Sequence, residues 1–81
     1  MSNSIHVEYF ALFREQAGRA DETVETNAAN PGQLYAELVE KHGLTLEPQR
    51  LKVAVNDAFV GWEANLADGD RVVFIPPVAG G

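Results

Sequence analysis

The segment VVFIPPVAGG, from Val72 to Gly81, joins an apolar run to two prolines and two glycines and carries no charged side chain. Val72–Ile75 are apolar in both phases of a β-strand, which is typical of a strand buried on both faces at the centre of a sheet. Pro76 and Pro77 end this strand because they have no amide hydrogen to donate to a neighbouring strand. The segment therefore predicts a central last strand, followed by a short chain end outside the sheet.

The other strands are predicted from alternating and β-branched residues. Ile5–Phe13 has an apolar residue at every second position, which predicts a first strand with one buried face. Glu22–Thr26 is short and β-branched and predicts the second strand of a hairpin. Leu51–Val55 alternates as a third strand, and the Asn-Asp pair after it supplies a turn before a short strand at Phe59 and Val60.

The clearest helix start lies in the middle of the chain. Asn30 is a favoured N-cap residue, Pro31 fits the first helical position, and Gln33 is placed to complete a capping box. Apolar residues then repeat at helical spacing up to His42, and Gly43 supplies a left-handed stop. These signals predict a helix of about three turns.

The predicted order of elements is strand, strand, helix, strand, short strand and strand. In a chain of 81 residues, this order predicts one domain of the α+β class, with a β-grasp (ubiquitin-like) mixed sheet packed on one main helix. A ferredoxin-like sandwich would need a second helix in the connector Leu44–Arg50. Pro48 disfavours that helix, because an interior proline removes a hydrogen bond and clashes with the preceding turn.

Charge and composition limit the classes of partner. The chain has 12 Asp and Glu against 6 Lys and Arg, for a net charge of −6, and its cations are scattered along the sequence. An acidic domain without a basic cluster repels phosphate backbones, so we expect no nucleic-acid partner and favour a protein partner with a basic surface. The first residues lack the pattern of a signal peptide, and no apolar stretch is long enough to span a bilayer. We therefore expect a cytoplasmic domain that makes no membrane contact.

Reactive side chains are scarce in this sequence. The chain has no cysteine, so it has no thiol to hold a persulfide or a thioester and no thiolate metal site. His6 and His42 are far apart in sequence and differ in context, so we expect no metal site and no bound cofactor. The α-carboxylate of Gly81 is the group best suited to activation, since adenylation by a second enzyme would convert its oxygen into a leaving group.

Residues 78–81 are predicted to form an extended tail after a β-grasp domain over residues 1–77. Four residues reach about 13 Å at roughly 3.3 Å each, so they can place a carboxylate deep in a partner's cleft. Gly80 and Gly81 remove side chains where such a cleft would close around the backbone. An inert, frayed end is the alternative, although a frayed end is usually polar and this one is apolar.

Apolar residues in and near the tail are candidates for partner binding. They are Phe59, Trp62, Phe74, Pro76, Pro77, Val78 and Ala79. The two prolines stiffen the exit from the domain, so less conformational entropy is lost when the tail docks. For the aromatic members, placement in the core is at least as well supported as placement at an interface.

Both ends of the chain resemble a known family. VEYFALFREQAG (7–18) and NDAFVGWEANLADGDRVVFIPPVAGG (56–81), with the helix between them, resemble the small subunit of molybdopterin synthase, a ubiquitin-like sulfur carrier. The most specific parts are the aromatic-Ala followed by Arg14, Glu15 and Gly18, the turn at 66–70, and the ending in which Pro-Pro is followed by Gly-Gly. Thiamine-pathway sulfur carriers share the Gly-Gly but generally lack the paired prolines.

This resemblance implies a cycle for the terminal carboxylate. An adenylating enzyme of the ubiquitin-activating type would adenylate Gly81 with ATP and Mg, and a sulfurtransferase would convert the adenylate to a thiocarboxylate. The carrier would then dock on the large subunit of molybdopterin synthase, in an assembly of two large and two small subunits, and donate sulfur to cyclic pyranopterin monophosphate. Apart from Gly81, with Gly80 giving access, it implies no catalytic residue in this chain. A thiamine-pathway carrier, a protein modifier that forms isopeptide bonds and an interaction domain with an inert tail are the alternatives.

Overall fold

The fold is a five-stranded sheet with one main helix packed on it, and the computed structural model describes residues 2–77. In chain order, its elements are β1 (Asn3–Tyr9), α1 (Leu12–Ala17), β2 (Asp21–Thr26), α2 (Pro31–His42), a 3-10 turn (Pro48–Arg50), β3 (Lys52–Val55), β4 (Ala58–Val60) and β5 (Arg71–Ile75). The sheet order is β2-β1-β5-β3-β4. The last strand therefore lies at the centre of the sheet, as its apolar sequence predicts.

The strand pairing is mixed. β1 and β5 run parallel, while β1–β2, β3–β5 and β3–β4 are antiparallel. The predicted β-grasp arrangement is thereby confirmed. The connector that a ferredoxin-like sandwich would need as a helix contains only the short 3-10 turn, so that alternative is wrong.

The main helix α2 begins and ends where the sequence predicts. The Asn30 side chain accepts a hydrogen bond from the Gln33 N–H at 2.9 Å, and the Gln33 side chain accepts one from the Ala29 N–H at 2.7 Å. Gly43 has a left-handed φ of 70°, and its N–H donates to the Val39 carbonyl. The side chains that α2 buries in the core include Leu34, Tyr35 and Leu38.

The predicted first strand is too long. β1 ends at Tyr9, and the chain turns at Ala11, whose φ is 47°, into α1. The expectation that Ala11 and Phe13 continue a strand face is therefore wrong. Apolar residues in both phases do not distinguish the end of a strand from a short helix. α1 places Phe13 in the core with no exposed surface, which is the burial that strand periodicity had assigned to it.

The two hairpin predictions have different outcomes. Glu22–Thr26 lies within β2, which pairs with β1 in antiparallel register, but α1 joins the two strands instead of a tight turn. Asn56 and Asp57 form the predicted turn between β3 and β4, with φ values of 51° and 71°, as a two-residue hairpin turn requires. Across the described residues, no helix is long and apolar enough to cross a bilayer.

Candidate functional site

The end of β5 is the part of the predicted site that the structure describes. Ile75 and Pro76 are half-buried and Pro77 is exposed. β5 leads to this point between β1 on one side and β3 on the other, so the tail begins at the centre of the sheet. Four predicted site residues lie outside the described residues: Val78, Ala79, Gly80 and Gly81.

An aromatic cluster holds the end of β5. Phe74 has no exposed surface, and its ring centroid lies 5.1 Å from that of Tyr35 and 6.0 Å from that of Trp62. The Tyr35 ring also lies 5.9 Å from Trp62 and 6.1 Å from Phe13. The Tyr35 hydroxyl donates a hydrogen bond to the Leu46 carbonyl at 2.6 Å. Such aromatic pairs stabilise a core beyond their burial alone, so the tail starts from a firmly packed strand.

The aromatic candidates for partner binding take three different positions. Phe74 lies in the core and anchors β5, which is the alternative that the sequence left open. Trp62 is half-buried and packs against the core. Phe59 is 70% exposed and, among these three residues, offers the largest free ring to a partner.

A groove of about 330 Å³ lies at the base of the tail. This tail-base groove is lined by Arg50, Lys52, Phe59, Ile75, Pro76 and Pro77. Lys52 is the register partner of Ile75 across β3 and β5. Its Nζ lies 5.8 Å from the centre of the Phe59 ring, within the range of a cation–π contact. A molecule that enters this groove would therefore contact both the exposed aromatic ring and the two prolines that start the tail.

Two further exposed apolar residues lie near this end of the sheet, and sequence reasoning did not select them. Phe10 is 42% exposed and Leu12 is 38% exposed. Phe10 directly follows Tyr9, whose register partner in β5 is Phe74. Because β1 and β5 are parallel, Phe10 leaves the sheet at the same end as the tail. The available signal was that Phe10 is apolar although it lies on the face of the predicted strand opposite to the buried one. Such a residue can be either buried or exposed, so the pattern alone did not identify it.

A buried carboxylate on β2, the edge strand at the opposite end of the strand order from β4, lies among several donors. The Glu22 side chain is only 3% exposed, and this Glu22 cluster comprises Tyr9, Arg19, Glu22, Lys41 and His42. The Tyr9 hydroxyl donates to Glu22 at 2.5 Å, Lys41 Nζ at 2.9 Å, and His42 Nε2 lies 2.5 Å away. Arg19 completes the cluster at 3.4 Å.

Hydrogen bonds from neighbouring side chains keep the Glu22 carboxyl group ionised. Burial acts to raise the pKa of this carboxyl, but hydrogen bonds from its neighbours, with Tyr9 the strongest, outweigh burial and lower the pKa to about 2. Burial raises the pKa of the Tyr9 hydroxyl, and the adjacent carboxylate raises it further. Glu22 is therefore ionised and Tyr9 neutral at physiological pH. This cluster is not predicted from the sequence, in which His42 is assigned only to the end of a helix.

The described side chains offer no other reactive constellation. Between residues 2 and 77, no three His, Cys, Asp or Glu side chains converge on a possible metal site. His42 is engaged by Glu22, and His6 Nδ1 lies 3.4 Å from Thr23 Oγ1. The feature that residues 2–77 do present is a pair of prolines after the end of β5, beside an apolar groove.

The fold defines a class of protein. A mixed five-stranded sheet with the last strand at its centre and one main helix is the architecture of a ubiquitin-like β-grasp protein. The ubiquitin of Caldiarchaeum subterraneum has the same fold, with a TM-score of 0.65 over 100% of both chains at 17% identity.

Comparison with known proteins gives the family. The chain belongs to the ThiS family, whose model matches residues 7–81. It is 38% identical to the molybdopterin synthase sulfur carrier subunit of Escherichia coli, over 95% of this chain and 99% of that protein. It is also similar to a chain in the protein-protein complex of subunits 1 and 2 of the molybdopterin-converting factor from Helicobacter pylori. That similarity covers 96% of this chain and 99% of the other, at a TM-score of 0.67 and 28% identity.

Proposed function

We propose that this protein is the sulfur carrier subunit of a molybdopterin synthase and that Gly81 carries the sulfur as a thiocarboxylate. Family membership supports the carrier role, and the matched region extends to Gly81 itself. The absence of cysteine removes a side-chain thiol as the carrier. The observation that carries the proposal is the full-length similarity to a sulfur carrier subunit, combined with a central strand that ends in two prolines immediately before Gly-Gly.

The proposed cycle begins on a separate adenylating enzyme. A carboxylate oxygen of Gly81 attacks the α-phosphorus of Mg-bound ATP, which releases pyrophosphate and leaves an acyl-adenylate. The terminal sulfur of a persulfide donor then attacks the acyl carbon and displaces AMP, which gives an acyl disulfide. A thiol attacks the donor's sulfur in that bond, so that a disulfide forms on the donor side and the thiocarboxylate is released. The adenylate is required because a carboxylate oxygen is a poor leaving group until it is esterified.

The charged carrier then docks on the large subunit of the synthase. The tail enters that subunit's active site, and the thiocarboxylate sulfur attacks a carbon of cyclic pyranopterin monophosphate, from which an oxygen substituent leaves as the carbon–sulfur bond forms. Hydrolysis of the resulting acyl–sulfur bond leaves the sulfur on the pterin and restores the carboxylate. A tail without charged side chains adds only its terminal charge to a pocket that holds an anionic substrate, so repulsion is kept low.

The folded body supplies the docking surface in this proposal. The exposed Phe59 ring and the groove beside Pro76 and Pro77 lie at the base of the tail, and Phe10 leaves the sheet at the same end. A few large side chains near the centre of an interface commonly supply most of its binding energy. Docking there would hold the domain while the tail reaches the active site.

Extension of the tail by one residue tests the carrier role of Gly81. We expect a variant with alanine appended after Gly81 to lose sulfur transfer completely in an assay reconstituted from the adenylating enzyme, a sulfur donor and the large subunit. A matched control carries alanine inserted before Ser2 and retains transfer. Both variants should unfold at the temperature of the unmodified protein. Full transfer by the C-terminally extended variant would contradict the proposal.

A pull-down with the unmodified protein as bait, from cells of its source organism, distinguishes the proposed function from its alternatives. Capture of a large synthase subunit, lost on removal of residues 78–81, supports the proposed function. Capture of a thiazole synthase would indicate a thiamine-pathway carrier instead, and lysine-linked conjugates on blots would indicate a protein modifier.

A further inference from the structure

The tail-base groove contains two cations that have no carboxylate partner in the described chain. Within residues 2–77, neither Arg50 nor Lys52 forms an ion pair, and among the remaining cations only Arg14 shares this property. The cations that do form ion pairs, at Glu8, Glu22 or Asp57, are Arg19, Lys41 and Arg71. Although the chain has 12 Asp and Glu residues, none of those within residues 2–77 forms an ion pair with the two groove cations.

The fold brings these two cations together although the sequence pattern describes the cations as scattered. Arg50 ends the 3-10 turn, one residue separates it from Lys52 at the start of β3, and both line the groove. Lys52 lies over the Phe59 ring, which supports its position. The nearest acidic residue in sequence, Glu47, uses its backbone carbonyl to accept the Arg50 N–H, and its carboxylate forms no ion pair within residues 2–77.

We propose that Arg50 and Lys52 receive a carboxylate side chain of the protein partner, while a neighbouring apolar side chain of that partner enters the tail-base groove. This inference rests on the proposed function, because the partner is the large subunit on which the tail docks. The groove would then prefer an acidic contact, whereas the whole chain, being acidic, prefers a basic partner. The net charge of −6 favours basic partner surfaces at long range, whereas the contact at the tail base selects an acidic one.

The composition of the groove supports a carboxylate beside an apolar group. Phe59, Ile75 and the two prolines give the groove its apolar walls, and a docked apolar side chain would displace water from them. Charge pairs strengthen as water is excluded, because the effective dielectric constant falls. Electrostatic complementarity of this kind mainly sets partner choice and association rate. The two cations are therefore placed to discriminate between partners and to fix the orientation of the tail.

Charge reversal at Lys52 tests this inference in the full-length chain with the purified large subunit. We expect Lys52→Glu to weaken the affinity roughly tenfold or more, with Arg50→Glu giving a loss of similar size. Lys52→Arg should stay within about twofold of the unmodified protein, because it keeps the charge and the cation–π contact. Affinity is measured at low and high salt, and the unmodified protein should lose affinity with salt much more steeply than Lys52→Glu.

A control with the same net charge separates a local contact from a general charge effect. Thr23→Glu combined with Asn27→Glu lowers the net charge by two, as Lys52→Glu does. The two substitutions lie at exposed positions, one in β2 and one at the residue that follows it. β2 lies at the sheet edge opposite β4, far from the groove in the strand order. This double variant should bind within about twofold of the unmodified protein if the contact is local, since distant exposed charges are screened at physiological salt.

Each outcome is decisive. Binding of Lys52→Glu and Arg50→Glu at the level of the control would overturn this inference and leave the proposed function in place. A gain in affinity would also overturn it, since it would indicate that the two cations hold a group of the free chain itself, such as the terminal carboxylate. Failure of the unmodified protein to bind the large subunit would contradict the proposed function, and this inference with it. Thermal unfolding of each variant identifies any loss that comes from misfolding.

Discussion

The Glu22 cluster and the tail-base groove use the same kinds of cation in opposite ways. In the Glu22 cluster, Lys41 approaches a carboxylate that is 3% exposed, so the charges are satisfied within the chain. In the groove, Lys52 lies over an aromatic ring at 5.8 Å and has no carboxylate partner within residues 2–77. The first arrangement ties β2 to the end of α2 and supports the fold, whereas the second leaves a charge available for recognition. Whether a lysine supports the fold or remains available for recognition therefore depends on the carboxylates near it and on their burial, more than on the residue type.

The largest expected difference is between two phenylalanines, one in the core and one on the proposed docking surface. We expect Phe74→Ala to lower the free energy of unfolding by about 3–5 kcal/mol, because it opens a cavity at the centre of the aromatic cluster. Phe59→Ala should change it by less than about 0.5 kcal/mol, because its ring is exposed, yet weaken binding to the large subunit roughly tenfold or more. Chemical denaturation and binding titrations measure both quantities. If the two substitutions lowered the free energy of unfolding equally, Phe59 would support the folded core and would not be a free docking residue.

Glu22→Gln gives a smaller effect, and one that depends on pH. The pKa of Glu22 is lowered from 4.5 to about 2 on folding, so its stabilisation is fully present above pH 4.5 and is lost as the pH falls towards 2. A shift of this size corresponds to about 3 kcal/mol of stability at neutral pH. We therefore expect Glu22→Gln to destabilise the protein by about that amount at pH 7, with the difference from the unmodified protein closing near pH 2.

Denaturation curves across this pH range provide the measurement. Glu40→Gln serves as the control, because Glu40 is exposed on the same helix that carries Lys41, and it should leave both the stability and its pH dependence nearly unchanged. A loss in Glu22→Gln that stays constant from neutral to acidic pH would show that packing, and not the charge of Glu22, supports the cluster.

The sequence predicts the elements whose signals are local. The α2 boundaries follow from Asn30, Pro31 and Gly43, whose capping roles depend only on nearby residues. The central position of β5 follows from apolar residues in both phases. The tail-base prolines are equally visible, because proline ends strand pairing in any context.

The sequence does not predict α1, because its signals are weak. α1 has 6 residues, and its N-cap, Ala11, makes no side-chain cap hydrogen bond. Strand periodicity therefore extended through Phe13, and the exposure of Phe10 remained hidden in the same pattern. A short helix without a cap is stabilised mainly by tertiary packing, which local propensity does not report.

The sequence does not predict the groove or the Glu22 cluster either, but for a different reason. Tyr9, Glu22 and Lys41 meet only because β1, β2 and α2 pack together, and Arg50 meets Pro77 only because β3 pairs with β5. These contacts depend on register and packing between elements distant in sequence. The sequence shows six cations scattered along the chain, and it does not indicate which of them the fold brings together.

The intact mass of the protein from cells with an active molybdopterin pathway tests the central claim most directly. If Gly81 is the sulfur carrier, a fraction of the protein will be heavier by the difference between one sulfur and one oxygen atom, and fragmentation will place that difference on Gly81. This form should disappear in cells that lack the adenylating enzyme. Protein from the pathway-active cells that carries only an unmodified carboxylate at Gly81 would contradict the account.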